Sequence, residues 1–446
     1  MSFSIFTIQE HTIPSCHIRE YPRALADDQE DVLQLAVKQY TPRESRNGTE
    51  QGVTELYEPL WDELYEKLKA KNIHINNIWI ADVAHQGASG VLNEERVGND
   101  PSWADHPRDL FLMINHFRTH MKRPLIGIGH SMGGNNLVNL SLMHPRLFTS
   151  LILIDPVIQR FPSAEGNFGP ARASVKRRET WPSRKAAAEK LKSSKFYQSW
   201  DPRVLDKWIQ YGLRETPTYH HPNNITPASS TPPTITADPS TATIPPAANT
   251  EKEVTLTTTK HQEVLTFLRP NFPDPEYPNP STNPNPLTHP DVDPISPPNA
   301  PFYSPIPIAT FHKLPQVRPS VFYIFGDVAA GAYLSAPVLK ADKLANTGTG
   351  VGGSGGVKKG RVSSVTFEGV GHLIPMEVVG RTAKACREWL VPELGRWRAI
   401  EDEERREWGR VERREKGRLS KEYVERMTSD WSEEAERMGK GERAKL

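Results

Sequence analysis

Serine, histidine and aspartate, the side chains that together perform acyl transfer, occur in this chain at telling places. Ser131 lies in Gly129-His130-Ser131-Met132-Gly133, between an apolar run (Leu125, Ile126, Ile128) and a helix-spaced run (Leu137, Leu140, Leu142, Met143). A second apolar run, Leu151 to Ile154, follows and ends on Asp155. A serine on a tight turn between strand and helix projects its oxygen beyond the sheet, and the next N–H, that of Met132, faces a developing oxyanion. Gly129 and Gly133 leave room for backbone to pass close. The serine needs a base, and the base needs an acid to orient it. His372, in the glycine-flanked stretch GVGHLIPME after the last strand-like run, is the candidate base. Two acids compete. Asp155 ends the strand after the serine's helix, and Asp327 follows Gly326 at the end of the run 319–326. Asp155 is preferred, with Asp327 the alternative. His130, beside the nucleophile, and His85, in the loop after a strand, are candidates to line a substrate pocket. The fifteen histidines show no metal-ligand spacing, so no metal is expected.

Strand-like runs at 3–9, 32–40, 78–83, 125–128, 151–154, 319–327 and 362–369 must position these residues. Between them lie helical patterns: ELYEPLWDELYEKLKAK, with Leu56, Leu60, Leu64 and Leu68 at i+4 and Thr54 as N-cap; Asp105 to Met121; and Glu377 to Leu390. Strand–helix alternation implies an α/β fold with a mainly parallel sheet and helices on both faces. Strand, G-x-S-x-G, helix, strand is the nucleophile-elbow context of the α/β-hydrolase fold.

The chain divides into an N-terminal part of the core, 1–155; a helical cap, 156–316; a C-terminal part of the core, 317–397; and a charged helical tail, 398–446. Short helices rich in Arg, Lys and Trp occupy the start of the cap, and VTLTTTKHQEVLTFLRP is an ordered island in it. Residues 217–307 hold 22 of the 40 prolines, so inserts at about 216–250 and 272–305 are expected to be disordered. The glycine-rich run 346–360 reads as flexible and lacks the flanks of a phosphate loop. A net charge of +1 gives no reason to invoke nucleic acid. No run approaches eighteen apolar residues, so no membrane span is expected, and the N-terminus lacks a signal-peptide pattern. Cys16 and Cys386 lie far apart and do not read as a disulfide scaffold.

ADVAHQGASGVLNEERVGNDPSW, GHSMGG, RRETWPS, WDPRVLDKWIQYGL, TTTKHQEVLTFLRP and GVGHLIPME together resemble fungal peroxisomal α/β-hydrolases. That family includes hydrolases of host-selective toxin biosynthesis and is related to the yeast peroxisomal lipase. The resemblance implies carboxylic-ester or related acyl chemistry on a hydrophobic metabolite, with Ser131 as nucleophile, His372 as base and no cofactor. The final Ala444-Lys445-Leu446 is close to Ser-Lys-Leu, a tripeptide read by the peroxisomal import receptor, so the peroxisome is the expected location and the cytoplasm the alternative. One departure matters. Relatives carry, before the ELYEPLW helix, a strand and a loop with His and Gly that supplies the second oxyanion N–H. Here no apolar strand lies between Tyr40 and Glu55, so a central strand and half of the oxyanion hole are missing. The expected activity is that of a serine hydrolase on an ester, thioester or related acyl bond. Its rivals are an impaired pseudo-hydrolase acting as a binding protein, and a cofactor-free lyase or isomerase on the same fold.

Overall fold

The computed structural model describes residues 5–43, 56–161, 164–222, 251–272, 289–292, 301–328 and 336–429. Two compact units result, residues 1–393 and 394–446.

In the first unit, strands β1 (Phe6–Pro14), β2 (Gln34–Pro42) and β3 (Ile78–Ala81) form an antiparallel sheet in that order. Both early strands begin and end somewhat later than their apolar runs imply. The helix Glu58–Lys69 buries Leu60, Trp61, Leu64, Tyr65 and Leu68, the i+4 stripe and its neighbours. It starts after Tyr57, with Pro59 in its first turn, so the expected N-cap, Thr54, lies outside the described residues. A second sheet holds β4 (Ile126–His130) and β5 (Ser150–Ile154), joined through the helix Met132–Met143 as a parallel pair.

The cap is not purely helical. Besides the helices Ala164–Val175, Arg184–Lys192, Pro202–Tyr211 and Lys260–Phe267, it contains an antiparallel sheet of β6 (Thr180–Trp181), β7 (Leu213–Glu215) and β8 (Val254–Leu256), with β8 in the middle. Its own small core gathers Trp181, Leu191, Tyr197, Leu205, Leu213, Val254 and Leu256. A further pair, β9 (Arg269–Pro270) and β10 (Phe302–Tyr303), lies partly in the second stretch expected to be disordered. Prolines dominate that stretch, yet Phe302 and Tyr303 supply aromatic bulk, and Tyr303 is buried against Arg269. The remainder of both proline-rich inserts, 223–250, 273–288 and 293–300, falls outside the described residues.

After the cap, β11 (Ser320–Gly326) and β12 (Val362–Phe367) complete the second sheet, ordered β12-β11-β5-β4 and parallel throughout. Every residue of β5 and β11 is buried, as a strand covered on both faces requires.

No described strand joins the two sheets. β3 pairs only with β2, and β4 only with β5. A single apolar cluster nevertheless spans both: Leu35 and Val37, with Trp79 and Ala81 packed on them, share it with Val138, Leu151, Leu153 and Tyr323. All four residues of β3 are only half-buried, which is the burial of an edge strand. The interruption coincides with the segment Thr41 to Thr54, which offers no apolar run.

Residues 346–360 are ordered, contrary to their composition. The N–H groups of Gly348, Gly350 and Ser354 bond the carbonyls of Leu314, Pro315 and Val317 at 2.8–3.0 Å. Gly355 and Gly356 sit at φ +92° and +65°, a backbone that side chains resist, so the glycines here build a turn instead of loosening one. Beyond the base loop a short helix, Ile374–Glu377, precedes Val379–Gly409, which continues through Pro392 well past Leu390. In the second unit the charged sequence is not one helix: after Gly409 turns intervene before Lys421–Thr428. Trp408, Tyr423 and Met427 are all at least half exposed there, and Lys416 stacks over Trp408. Ala444, Lys445 and Leu446 lie outside the described residues.

Candidate active site

Ser131 follows β4 directly and caps the helix Met132–Met143 at φ 54° and ψ −119°, a strained conformation for a non-glycine residue. The turn closes because residue 129 has no side chain: a Cβ there would stand 2.6 Å from the Gly133 carbonyl carbon and oxygen. At Gly133 a Cβ would meet nothing, so Gly129 is the glycine that the turn requires. Backbone bonds hold the strained residue. The Ser131 N–H donates to Ile154 O at 2.9 Å, and the Ser131 carbonyl accepts from Gly134 and Val157 N–H at 3.2 Å each. The Met132 N–H, at the first helical position, has no partner within the helix and is available to an anion.

Asp155 sits just beyond β5, also at positive φ (40°), and its side chain is 1% exposed. Its N–H is fixed by Ile324 O at 2.7 Å. His372 hangs in the loop after β12, where Gly326 permits close packing: a Cβ on Gly326 would lie 2.4–2.5 Å from the Val370 and Gly371 carbonyl oxygens. These elements bring three side chains into line. His372 Nδ1–H donates to Asp155 Oδ2 at 2.7 Å, and His372 Nε2 lies 2.9 Å from Ser131 Oγ. A chain in which a hydroxyl faces an imidazole braced by a buried carboxylate can move a proton off the hydroxyl as its oxygen attacks a carbonyl. Asp327 is placed otherwise. Exposed, it accepts the Gly369 N–H at 2.7 Å.

The two other histidines are occupied. His85 shares a 3.1 Å hydrogen bond with the Thr266 hydroxyl on the cap helix, and Gln86 also donates to that hydroxyl, at 2.6 Å. Burial drives the His85 imidazole down to about 3, so it is neutral. It lines a cavity of about 20 Å³ with Arg19, Asp105 and Asp109, the room of a single water. His130 packs its ring on that of His372, with centroids 4.9 Å apart. Among the described residues, no group of three or more His, Cys, Asp and Glu could hold a metal ion, and no helix is long and apolar enough to cross a membrane.

One charged group near the site escaped the sequence reading. Lys343, on the helix Pro337–Asn346, is 1% exposed, and its ammonium bonds the Leu339 carbonyl of its own helix at a long 3.5 Å. Burial pushes it down to about 8, although the field of Asp155 acts the other way. Nothing in KADKLAN distinguishes this lysine from a solvated one. Its unfolded value is 10.5, so between about 8 and 10.5 the unfolded chain holds the extra proton and stability rises with pH. Below that window the charged form costs about 3 kcal/mol. Lys343→Met is therefore expected to melt several degrees higher than the parent at pH 7, with the gain fading as pH rises through that window. Thermal melts across the pH range check it.

The serine aminopeptidase S33 family model matches residues 59–213. The type I acyl-CoA thioesterase mpaH of Penicillium roqueforti is 40% identical over 432 residues, covering 92% of each chain. The abhydrolase domain-containing protein AFT2-1 of Alternaria alternata is 24% identical, covering 60% of this chain and 84% of its own. Among solved structures, the peroxisomal α/β-hydrolase Lpx1 of Saccharomyces cerevisiae superposes with a TM-score of 0.57 at 16% identity, covering 87% of this chain and 91% of its own. The fold, the family model and the full-length similarity converge: this chain is an α/β-hydrolase enzyme, belonging to the family of the fungal mpaH thioesterases.

Proposed function

We propose that the chain is a serine thioesterase that hydrolyses the thioester of a hydrophobic, lipid- or polyketide-like acyl group in secondary-metabolite biosynthesis. The observation that carries the reading is the continuous line from Asp155 Oδ2 through His372 to Ser131 Oγ, at 2.7 and 2.9 Å. The Ser131 oxygen bonds to the acyl carbon while His372 Nε2 takes its proton. The Met132 N–H receives the oxyanion, and collapse expels the thiolate, which leaves with the proton from His372. Water then repeats the sequence on the acyl-enzyme and releases the acid. Choice of a thioester over an oxygen ester rests on similarity to proteins named acyl-CoA thioesterases. Peroxisomal import through Ala444-Lys445-Leu446 belongs to the same proposal, supported by the tripeptide and by the resemblance to peroxisomal α/β-hydrolases.

The test pairs two measurements. A fluorophosphonate probe is expected to label Ser131, identified by peptide mass, and acyl-CoA is expected to be cleaved to free thiol and acid. Labelling with turnover of oxygen esters but not of acyl-CoA overturns the thioester assignment alone. A second reading, an impaired relative that binds more than it turns over, draws on the interrupted sheet. Under it, labelling is slow and acyl-CoA binds without release of thiol.

A further inference from the structure

His130 precedes the nucleophile, and both of its ring nitrogens are engaged. Nε2 lies 2.8 Å from the His372 carbonyl oxygen, and Nδ1 lies 3.3 Å from the Tyr57 hydroxyl. A carbonyl only accepts, so Nε2 must carry the proton. Nδ1 is then a lone pair, and Tyr57 O–H donates to it. The reverse tautomer would set a lone pair against a carbonyl and lose the shorter bond. Burial and the neighbouring His372 hold the imidazole down to about 3, so the neutral form that this arrangement needs persists at any working pH. Tyr57 is itself seated on Trp61, ring centroids 5.9 Å apart, at the start of the helix Glu58–Lys69.

From these contacts we infer that His130 is a positioning residue: it clasps the backbone of the base to the residue beside the nucleophile, with Tyr57 selecting its tautomer. The inference rests on the reading of Ser131 and His372 as nucleophile and base. The loop is held on either side of the base, the Val370 carbonyl accepting the Asp327 and Val328 N–H groups at 3.1 and 3.0 Å and the Leu373 carbonyl those of Met376 and Glu377 at 2.9 and 3.0 Å, while the carbonyl of His372 itself is met by His130. Its two glycines, Gly369 and Gly371, both precede the histidine, and Gly371 N–H reaches Glu377 at 3.3 Å. The base's side chain is braced from one side by Asp155, but the ring can approach Ser131 correctly only if the backbone below it is fixed as well. His130 supplies that fixed point directly from the strand that carries Ser131. A displacement of about 1 Å at such a position typically costs up to 10²-fold in rate.

The test compares His130→Phe, His130→Gln and Tyr57→Phe in the full chain. Glutamine places an N–H near the Nε2 position, whereas phenylalanine keeps the ring alone. Expected in His130→Phe is a fall in kcat of about 10–100-fold with KM within twofold. Glutamine should restore kcat to within about threefold of the parent, and Tyr57→Phe should show a smaller loss of the same kind. The far-downfield NMR resonance of the His372 Nδ1 proton should broaden in His130→Phe and sharpen again in His130→Gln. A kcat of His130→Phe within twofold of the parent, or a loss that glutamine fails to restore, overturns the inference. If the parent hydrolyses nothing, the catalytic reading fails separately, and the NMR comparison still decides: an unchanged resonance in His130→Phe overturns the clasp.

Discussion

Ser131→Ala loses about 10⁴–10⁶-fold in kcat while retaining the melting temperature of the parent. The size follows from how the three residues act as one unit: without the oxygen, His372 and Asp155 have nothing to activate. Stability is spared because the hydroxyl's hydrogen bond among the described residues is to His372 alone, while the strain at φ 54° is held by backbone bonds that alanine keeps. The same assay separates the two aspartates. Asp155→Asn should fall by about 10⁴-fold, because an amide facing His372 Nδ1 favours the wrong tautomer. Asp327→Asn should stay within about threefold, since its carboxylate serves the Gly369 N–H at the surface. Steady-state rates on one thioester, beside thermal melts, measure all three. Equal losses at 155 and 327 would sink the assignment of the acid.

The interrupted sheet yields the second large effect. Inserting an apolar strand of about five residues and a glycine-containing loop between Thr54 and Glu55 is expected to raise kcat by about 10²–10³-fold, the usual worth of one oxyanion donor. Melting temperature should rise with it. β3 is half-buried along its whole length and β4 pairs only with β5, so a strand between them would gain hydrogen bonds on two sides and cover apolar surface already assembled on one cluster. The donor matters because an oxyanion hole is built from two N–H groups, and the Met132 N–H at the first helical position supplies one of them. An insert that raises the melting temperature without raising kcat would show that the gap is structural only and that another group completes the hole.

Legibility varied with the length of the pattern. Ser131 and its turn were readable because a buried strand, a glycine constriction and a helix repeat each leave a distinct spacing, and the three coincide within 124–143. The stretch after β2 reads as lacking an apolar run; its Thr41 and Pro42 end β2, residues 44–55 lie outside the described residues, and among the described strands none joins β3 to β4. The sheet inside the cap was not. Thr180–Trp181 and Leu213–Glu215 are too short to show alternation, and their pairing with Val254–Leu256 joins distant residues. Glycine content misled at 346–360 because composition reports what the backbone can do, whereas carbonyls at 314–317 decide what it does. Lys343 was invisible for the complementary reason: its burial comes from the docking of a helix, not from its neighbours in sequence.

The short ladders of the cap have a consequence for how this chain tolerates change in length. Glu215 faces Val254 across one ladder, and Arg269 faces Tyr303 across another. Each proline-rich insert therefore departs from and returns to a single closed gate, and Thr216 N–H to Glu253 O and Asn271 N–H to Pro301 O are the latches. With the ends pinned, lengthening a flexible connection between them costs only about 0.6 kcal/mol for each doubling. The first gate stands between its insert and the Trp181 core, whereas the second insert is also tied from within, since Asp291 pairs with Arg269 and accepts from the Tyr303 hydroxyl. The Thr216–Glu253 gate is the natural point at which to splice in a foreign peptide or a reporter.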